Sequence, residues 1–214
     1  MNDISSKKIV DLTMLIDEEM TGVAITSAKN LAKDGWNAST LHLYSHSGTH
    51  MDAPIHFEVT KQTIEQIDAN RLISEAWILD LTHLKPKALI GVKEMQPIEQ
   101  KIKKGESILL HTGWSKKTNT EAYRNDLPRI SADLAVWMGK KGVNIIGVES
   151  PSIADVNNIE EVTEIHTILM RNNVIIVEGL TNLEQLSKEK ITLIAAPLKV
   201  KDGDGAPARV LALE

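Results

Sequence analysis

The sequence predicts a mixed α/β domain with a largely antiparallel or mixed sheet, or a barrel, carrying flanking helices. Two observations predict it. Short apolar runs of strand length recur along the chain between polar or glycine-containing segments, while few stretches hold a helical period. Strands alternate with helices in places but also follow one another in runs. A chain of 214 residues can bury one good core, so residues 1–214 read as a single domain. Aromatic residues make up only 3%, against 42% hydrophobic overall, so aliphatic side chains must fill that core.

Ile9 to Met14 reads as the first strand. Thr60 to Arg71 is polar and at most short-range helical. Ala76 to Leu81 is an apolar run of strand length. Val92 to Lys103 places Val92, Met95, Ile98 and Ile102 near helical spacing around Pro97, which predicts one broken helix. Ser107 to His111 is a strand, and Lys116 to Asp126 a mobile surface excursion. Ser131 caps a helix running to about Lys140, with Gly139 and Gly142 bracketing its end. Val143 to Val148 is a buried strand ending at Glu149. In Glu160 to Arg171, Val162, Ile165, Ile168 and Leu169 give a helical stripe with His166 beside it. Asn172-Asn173 ends that helix. Val174 to Val177 is a strand with Glu178 at its end. Ile191 to Pro197 is another, Leu198 to Ala208 is turn-rich, and Arg209 to Leu213 is the last strand.

The chemistry concentrates between His42 and Phe57, which holds four of the seven histidines. His46, His50, Asp52 and His56 all fall at even positions, as do His42 and Gly48. In an extended chain those positions share one face. The odd face carries apolar or small uncharged residues fit to pack inward. Gly48 and Pro54 argue against a helix, so the spacing predicts a strand or a strand and loop. Imidazole and carboxylate are ligands that zinc prefers, and imidazole suits other first-row metals. Two histidines and one aspartate would leave positions open, the catalytic rather than the structural pattern. A metal held there would lower the pKa of water and polarise a carbonyl, and a further histidine could move protons.

His46-Ser-Gly-Thr-His50-Met-Asp52-Ala-Pro-Ile-His56 resembles the H-x-G-T-H-x-D-x-P-x-H signature of the metal-dependent cyclase-like hydrolases, which include bacterial arylformamidases and isatin hydrolases. The resemblance implies a swivelling β/β/α fold. It implies that His46, His50 and Asp52 bind zinc or manganese and that His56 accepts and donates the proton. A second block, His166-Thr-Ile-Leu-Met and Glu178-Gly-Leu-Thr-Asn-Leu, is similar to the family's second motif. By that resemblance His166 and Glu178 complete the metal site, with one or two ions per subunit. Gly147-Val-Glu149 through Asp155 is similar to a family motif in which Asp is usual at position 149. Glu149 is expected to shift a structural hydrogen bond rather than to act in catalysis. The Pro197 to Arg209 run is similar to the C-terminal signature, where the glycines are expected to serve a turn. Asp11-Leu-Thr is similar to the family's opening, whereas Met14 to Asp34 departs from its usual His-Pro and Pro/Gly-rich sequence, in the region that shapes the substrate pocket of family members. Trp36 could line the substrate pocket. His111, where the family's Thr-Gly-Trp motif is often preceded by Arg, is a second candidate for substrate binding.

The implied activity is metal-dependent hydrolysis of an amide C–N bond, most like arylformamidase. Hydrolysis of a cyclic amide or lactone, and a metal-retaining binding protein, stand as alternatives. The implied partner is a small-molecule amide or lactam, and family members form dimers or tetramers. Other classes are disfavoured. A net charge of −5 with no basic block gives no electrostatic footprint for nucleic acid. There is no cysteine, hence no thiolate ligand or nucleophile, and no G-x-S-x-G elbow. No apolar run approaches membrane-spanning length, and the N-terminus lacks the apolar stretch of an export signal, so a cytoplasmic location is expected.

Overall fold

The computed structural model describes residues 6–214. The first five residues, part of the stretch read for an export signal, lie outside the described residues. In chain order the strands are β1 (Ile9–Asp11), β2 (Val23–Lys29), β3 (Ala38–Leu43), β4 (His50–Asp52), β5 (Ile73–Asp80), β6 (Leu89–Ile90), β7 (Ser107–His111), β8 (Arg129–Ile130), β9 (Ile145–Val148), β10 (Ile175–Glu178), β11 (Lys190–Pro197) and β12 (Gly205–Leu213). The α-helices are α1 (Leu31–Asp34), α2 (Glu121–Asn125), α3 (Ala132–Lys141) and α4 (Ile159–Arg171).

Strands β12, β11, β5, β7, β9, β10 and β4 neighbour one another in that order, and β4 pairs back onto β12. The sheet therefore closes into a barrel, with β1 added along the free edge of β12. The β5–β7, β7–β9 and β9–β10 pairs are parallel, and the remaining pairs of the ring are antiparallel. Of the sheet or barrel that the alternation and runs of strands predicted, the fold is the mixed α/β barrel.

The continuous apolar runs of the parallel strands reflect burial on both faces. Ile108, Leu110, Ile146, Val148 and Ile176 pack outward against Leu134 and Met138 of α3 and Ile165 and Leu169 of α4. Leu109, Ile145, Ile175 and Val177 point into the barrel with Leu193, Val210 and a set of alanines: Ala76, Ala195, Ala206, Ala208 and Ala212. Those small residues let a narrow barrel fill without aromatics. The first long helix starts after Ser131 as read, and the second starts at Ile159, one residue before the reading. Ser131 accepts the Leu134 amide and Asn158 accepts the Glu161 amide.

Several boundaries differ. Val92 to Lys103 is not a broken helix. A 3-10 turn spans Val92–Met95 and irregular turns follow it, with Met95 and Ile98 buried as anchors. The final strand starts at Gly205 rather than Arg209, because residues 205–207 pair with β4. Residues 116–126 include α2, and its Tyr123 hydroxyl donates to the Glu149 carbonyl at 3.0 Å, so this excursion is tied to the barrel. The stretch 41–57 is not one continuous strand. It comprises the end of β3, a turn over 44–49, β4, and a 3-10 turn at Pro54–Phe57. Period-two alternation holds in its centre, where Met51 and Ala53 enter the barrel core and His50 and Asp52 face away. His42 is exposed on β3.

Candidate metal centre

β4 is the shortest strand of the closed sheet and joins two edges of it. His50 lies opposite Glu178 of β10, and Asp52 lies opposite Gly205 of β12. The turn before β4 carries His46, the 3-10 turn after it carries His56, and α4 lays His166 over the same spot. The turn fits against β10 because residue 179 is glycine. Its φ is +67°, and a Cβ there would stand 2.3 Å from the Gly48 carbonyl oxygen.

All six groups converge. His46 Nδ1 lies 2.9 Å from Asp52 Oδ1, and His50 Nε2 lies 3.7 Å from the same oxygen and 3.2 Å from Glu178 Oε2. His166 Nε2 lies 3.5 Å from Asp52 Oδ2 and 3.4 Å from Glu178 Oε1. The His56 ring stacks on His46 with centroids 4.0 Å apart. Phe57 lies beneath, 4.6 Å from the His166 ring. Donor atoms of His46, Asp52 and His56, and those of His50, Asp52 and Glu178, form two groups within 4.8 Å that share Asp52.

The tautomers follow from the backbone. A carbonyl oxygen can only accept, so His50 Nδ1 donates to Gly48 (2.9 Å) and His166 Nδ1 donates to Val162 (2.7 Å). In each neutral ring this leaves the Nε2 lone pair directed at the carboxylates. Glu178 is oriented in turn by the Ile153 amide, which donates to its Oε1 at 2.7 Å.

These groups are almost completely buried: His50 is 2% exposed, Asp52 and His166 3%, and Glu178 4%. Burial opposes charge on His46, yet the bonds and charges of Asp52 and Asp204 outweigh it and raise its pKa to about 9. His50 and His166 are also raised despite burial, chiefly by Glu178. Burial works against the Glu178 charge, but His166 and His50 hold its carboxyl well below the carboxylate range. Burial lowers His56, with His46 and His166 adding to it against Asp52 and Asp204. Without a cation, the two buried carboxylates thus favour protons on His46, His50 and His166. A divalent cation could take the place of those protons. Its fit is marked by three buried atoms without a hydrogen-bond partner: His50 Nε2, Asp52 Oδ1 and Asp52 Oδ2. Imidazole and carboxylate donors suit zinc and related ions.

Trp36 and His111 stand apart. Trp36 is 58% exposed beyond α1, with the Lys29 ammonium 5.9 Å from its ring. His111 ends β7 near Glu149 and Glu184. Neither makes a hydrogen bond, ion pair or ring contact with the cluster. Glu149 is fully buried and already occupied. Its Oε2 accepts from the Thr112 amide (2.6 Å), the Thr112 hydroxyl (3.0 Å) and the Gly113 amide (2.5 Å), and its Oε1 accepts from the Ser115 hydroxyl (2.8 Å). The longer carboxylate therefore anchors the Thr-Gly-Trp turn. Asp204, which the spacing of the histidines does not point to, also reaches the cluster. Its Oδ2 lies 3.3 Å from His46 Nε2 and 3.6 Å from His56 Nδ1. The only signal for it in sequence was an aspartate set between two glycines.

A closed mixed barrel with a buried imidazole–carboxylate cluster at the seam of its shortest strand defines the class of protein. The chain belongs to the Cyclase family, whose model matches residues 10–155. It is 30% identical over 175 residues to the kynurenine formamidase of Bacillus thuringiensis (strain Al Hakam), covering 82% of this chain and 79% of that one. The same identity and coverage hold for the kynurenine formamidase of Bacillus anthracis. Among solved structures it is similar to an isatin hydrolase bound to the product analogue thioisatinate. The TM-score is 0.90 at 25% identity, over 98% of this chain and 93% of that one. A potential metal-dependent hydrolase with cyclase activity matches with TM-score 0.79 and 27% identity, over 97% and 98% of the two chains. No helix among the described residues is long and apolar enough to cross a membrane.

Proposed function

We propose that the chain is a metal-dependent hydrolase of a small-molecule amide C–N bond, most like arylformamidase, converting N-formylkynurenine to kynurenine and formate. The observation that carries the reading is the convergence of His46, His50, Asp52, His166 and Glu178 in one buried cluster, in which His50 Nε2 and both Asp52 carboxylate oxygens lack a hydrogen bond. These residues would hold zinc or manganese, as one ion or as two sharing Asp52. A cation there supplies Lewis acidity towards the carbonyl and lowers the pKa of water. The reaction adds water across the C–N bond, oxygen to the carbonyl carbon and a proton to nitrogen. His56 fits the proton transfer. It stacks beside the cluster, and with Nδ1 facing Asp204 its Nε2 is the nitrogen left to take the proton from water and pass it to the leaving amine. The formamidase relatives support this substrate class.

The structural likeness to an isatin hydrolase favours a second reading, opening of a cyclic amide or lactone by the same machinery. A cytoplasmic homodimer or homotetramer accompanies either reading, and His111 and Trp36 stand as substrate-binding candidates. The test is metal analysis of the purified protein, followed by N-formylkynurenine, formyl-anilides, isatin and simple lactones offered to metal-free and reconstituted samples. Formamide turnover restored by metal and lost in His56→Ala with metal retained supports the first reading. Ring-opening alone supports the second. Tight metal binding with neither activity indicates a binding protein.

A further inference from the structure

The turn that carries Asp204 is built around the His46 ring. Residue 205 is glycine where a Cβ would stand 2.8 Å from His46 Cε1, 3.2 Å from His46 Nε2 and 2.9 Å from the Met51 carbonyl oxygen. Such distances leave room for no side chain, so the β12 backbone lies directly against the imidazole. The Asp204 carbonyl accepts the Ala53 amide at 2.9 Å, which locks this turn in register with the strand carrying Asp52. That bond belongs to the backbone and survives any change of the side chain.

We infer that Asp204 is a positioning residue that clamps His46 by its Nε2 and stands against Nδ1 of His56, fixing both rings for the metal and the proton. This rests on reading the cluster as a metal centre. His46 turns Nδ1 towards Asp52 at 2.9 Å and Nε2 towards Asp204 at 3.3 Å. Both ring nitrogens face carboxylates, which only accept, so with a cation held at Nδ1 the one hydrogen of the neutral ring stays on Nε2 for Asp204. The same Asp204 Oδ2 lies 3.6 Å from His56 Nδ1, and the two rings stack at 29°. One half-exposed side chain thereby sets the tautomer of a ligand and the seat of the proton carrier.

The test compares wild type with Asp204→Ala, Asp204→Asn and, as a nearby charge control, Asp202→Asn. Zinc affinity is measured by competition with a chromophoric chelator, and the histidine rings by long-range proton–nitrogen correlation spectra, with His46→Gln for assignment. Asp204→Ala is expected to weaken zinc binding by about 10–100-fold. It should also shift the His46 ring signals away from the Nε2–H tautomer. Asp204→Asn, which keeps an acceptor but not the charge, should fall between it and wild type, and Asp202→Asn should match wild type. Melting temperatures should stay together for the metal-free proteins. Wild-type affinity in Asp204→Ala with unchanged ring signals overturns the clamp and leaves the metal reading standing. If wild type holds no divalent cation, the proposed function fails, and the ring spectra alone then decide the clamp: a tautomer unmoved by Asp204→Ala overturns it.

Discussion

Stripping divalent cations from the protein is expected to cost it a large share of its thermal stability. Asp52 and Glu178 are two carboxylates within one barrel seam, each almost wholly buried. His50 and His166 reach both of them at 3.2–3.7 Å. Buried charges are costly unless compensated, and three polar atoms here make no hydrogen bond. A ligand that binds only the folded state at about 100 times its Kd stabilises it by about 2.7 kcal/mol. For a chain of this length each kcal/mol moves Tm by about 2–4 °C, so the loaded protein should melt roughly 5–11 °C above the chelated one. Zinc and manganese titrations followed by differential scanning fluorimetry would show this as a Tm rising with the logarithm of free metal. Asp52→Asn removes the group common to both halves of the cluster and should abolish most of the rise. Identical melting of chelated and loaded protein with every divalent cation tried, or a full shift retained in Asp52→Asn, would rule out a stabilising cation at Asp52.

Glu149→Gln should destabilise the fold by about 3 kcal/mol in urea melts, because an amide NH₂ would be forced against the hydrogen-bond donors of residues 112–115. A loss under 1 kcal/mol would mean that the Thr-Gly-Trp turn holds without this anchor. Glu106 is a pH-dependent case. Burial works against its charge, but Lys190, the Lys103 amide and the Trp77 indole hold its carboxyl below the ordinary 4.5. A depressed carboxylate contributes stability that is complete above the unfolded value and lost as pH falls through the folded one. Glu106→Gln should therefore cost about 1–3 kcal/mol at pH 7, with the gap to wild type narrowing below about pH 4.5. A gap equal at pH 7 and pH 3.5 would contradict this.

Four side chains of the candidate site and the class of the fold were legible without coordinates. The histidine and aspartate spacing singled out His46, His50, Asp52 and His56, because neighbouring residues on a short strand and its flanking turns cannot drift far apart. The two long helices and most barrel strands were legible from capping residues and apolar periodicity, which are local signals. His166 and Glu178 came from resemblance alone. Nothing local says that a helix after β9 will return over a strand whose Glu178 lies 128 residues beyond His50, and only the barrel closure puts them together. Of the two readings of 41–57, strand or strand and loop, the second describes the fold, and the turns at its ends depend on distant contacts. His46 reaches Asp52 through a turn seated on Gly179, not through strand alternation. Asp204 lay hidden in a turn of glycines, since its meaning depends on β12 crossing β4, a pairing between residues about 150 positions apart. Periodicity reports which face a side chain takes, whereas the partners across a closed sheet are set by topology. That is why the donors were visible in the chain and their clamp only in the fold.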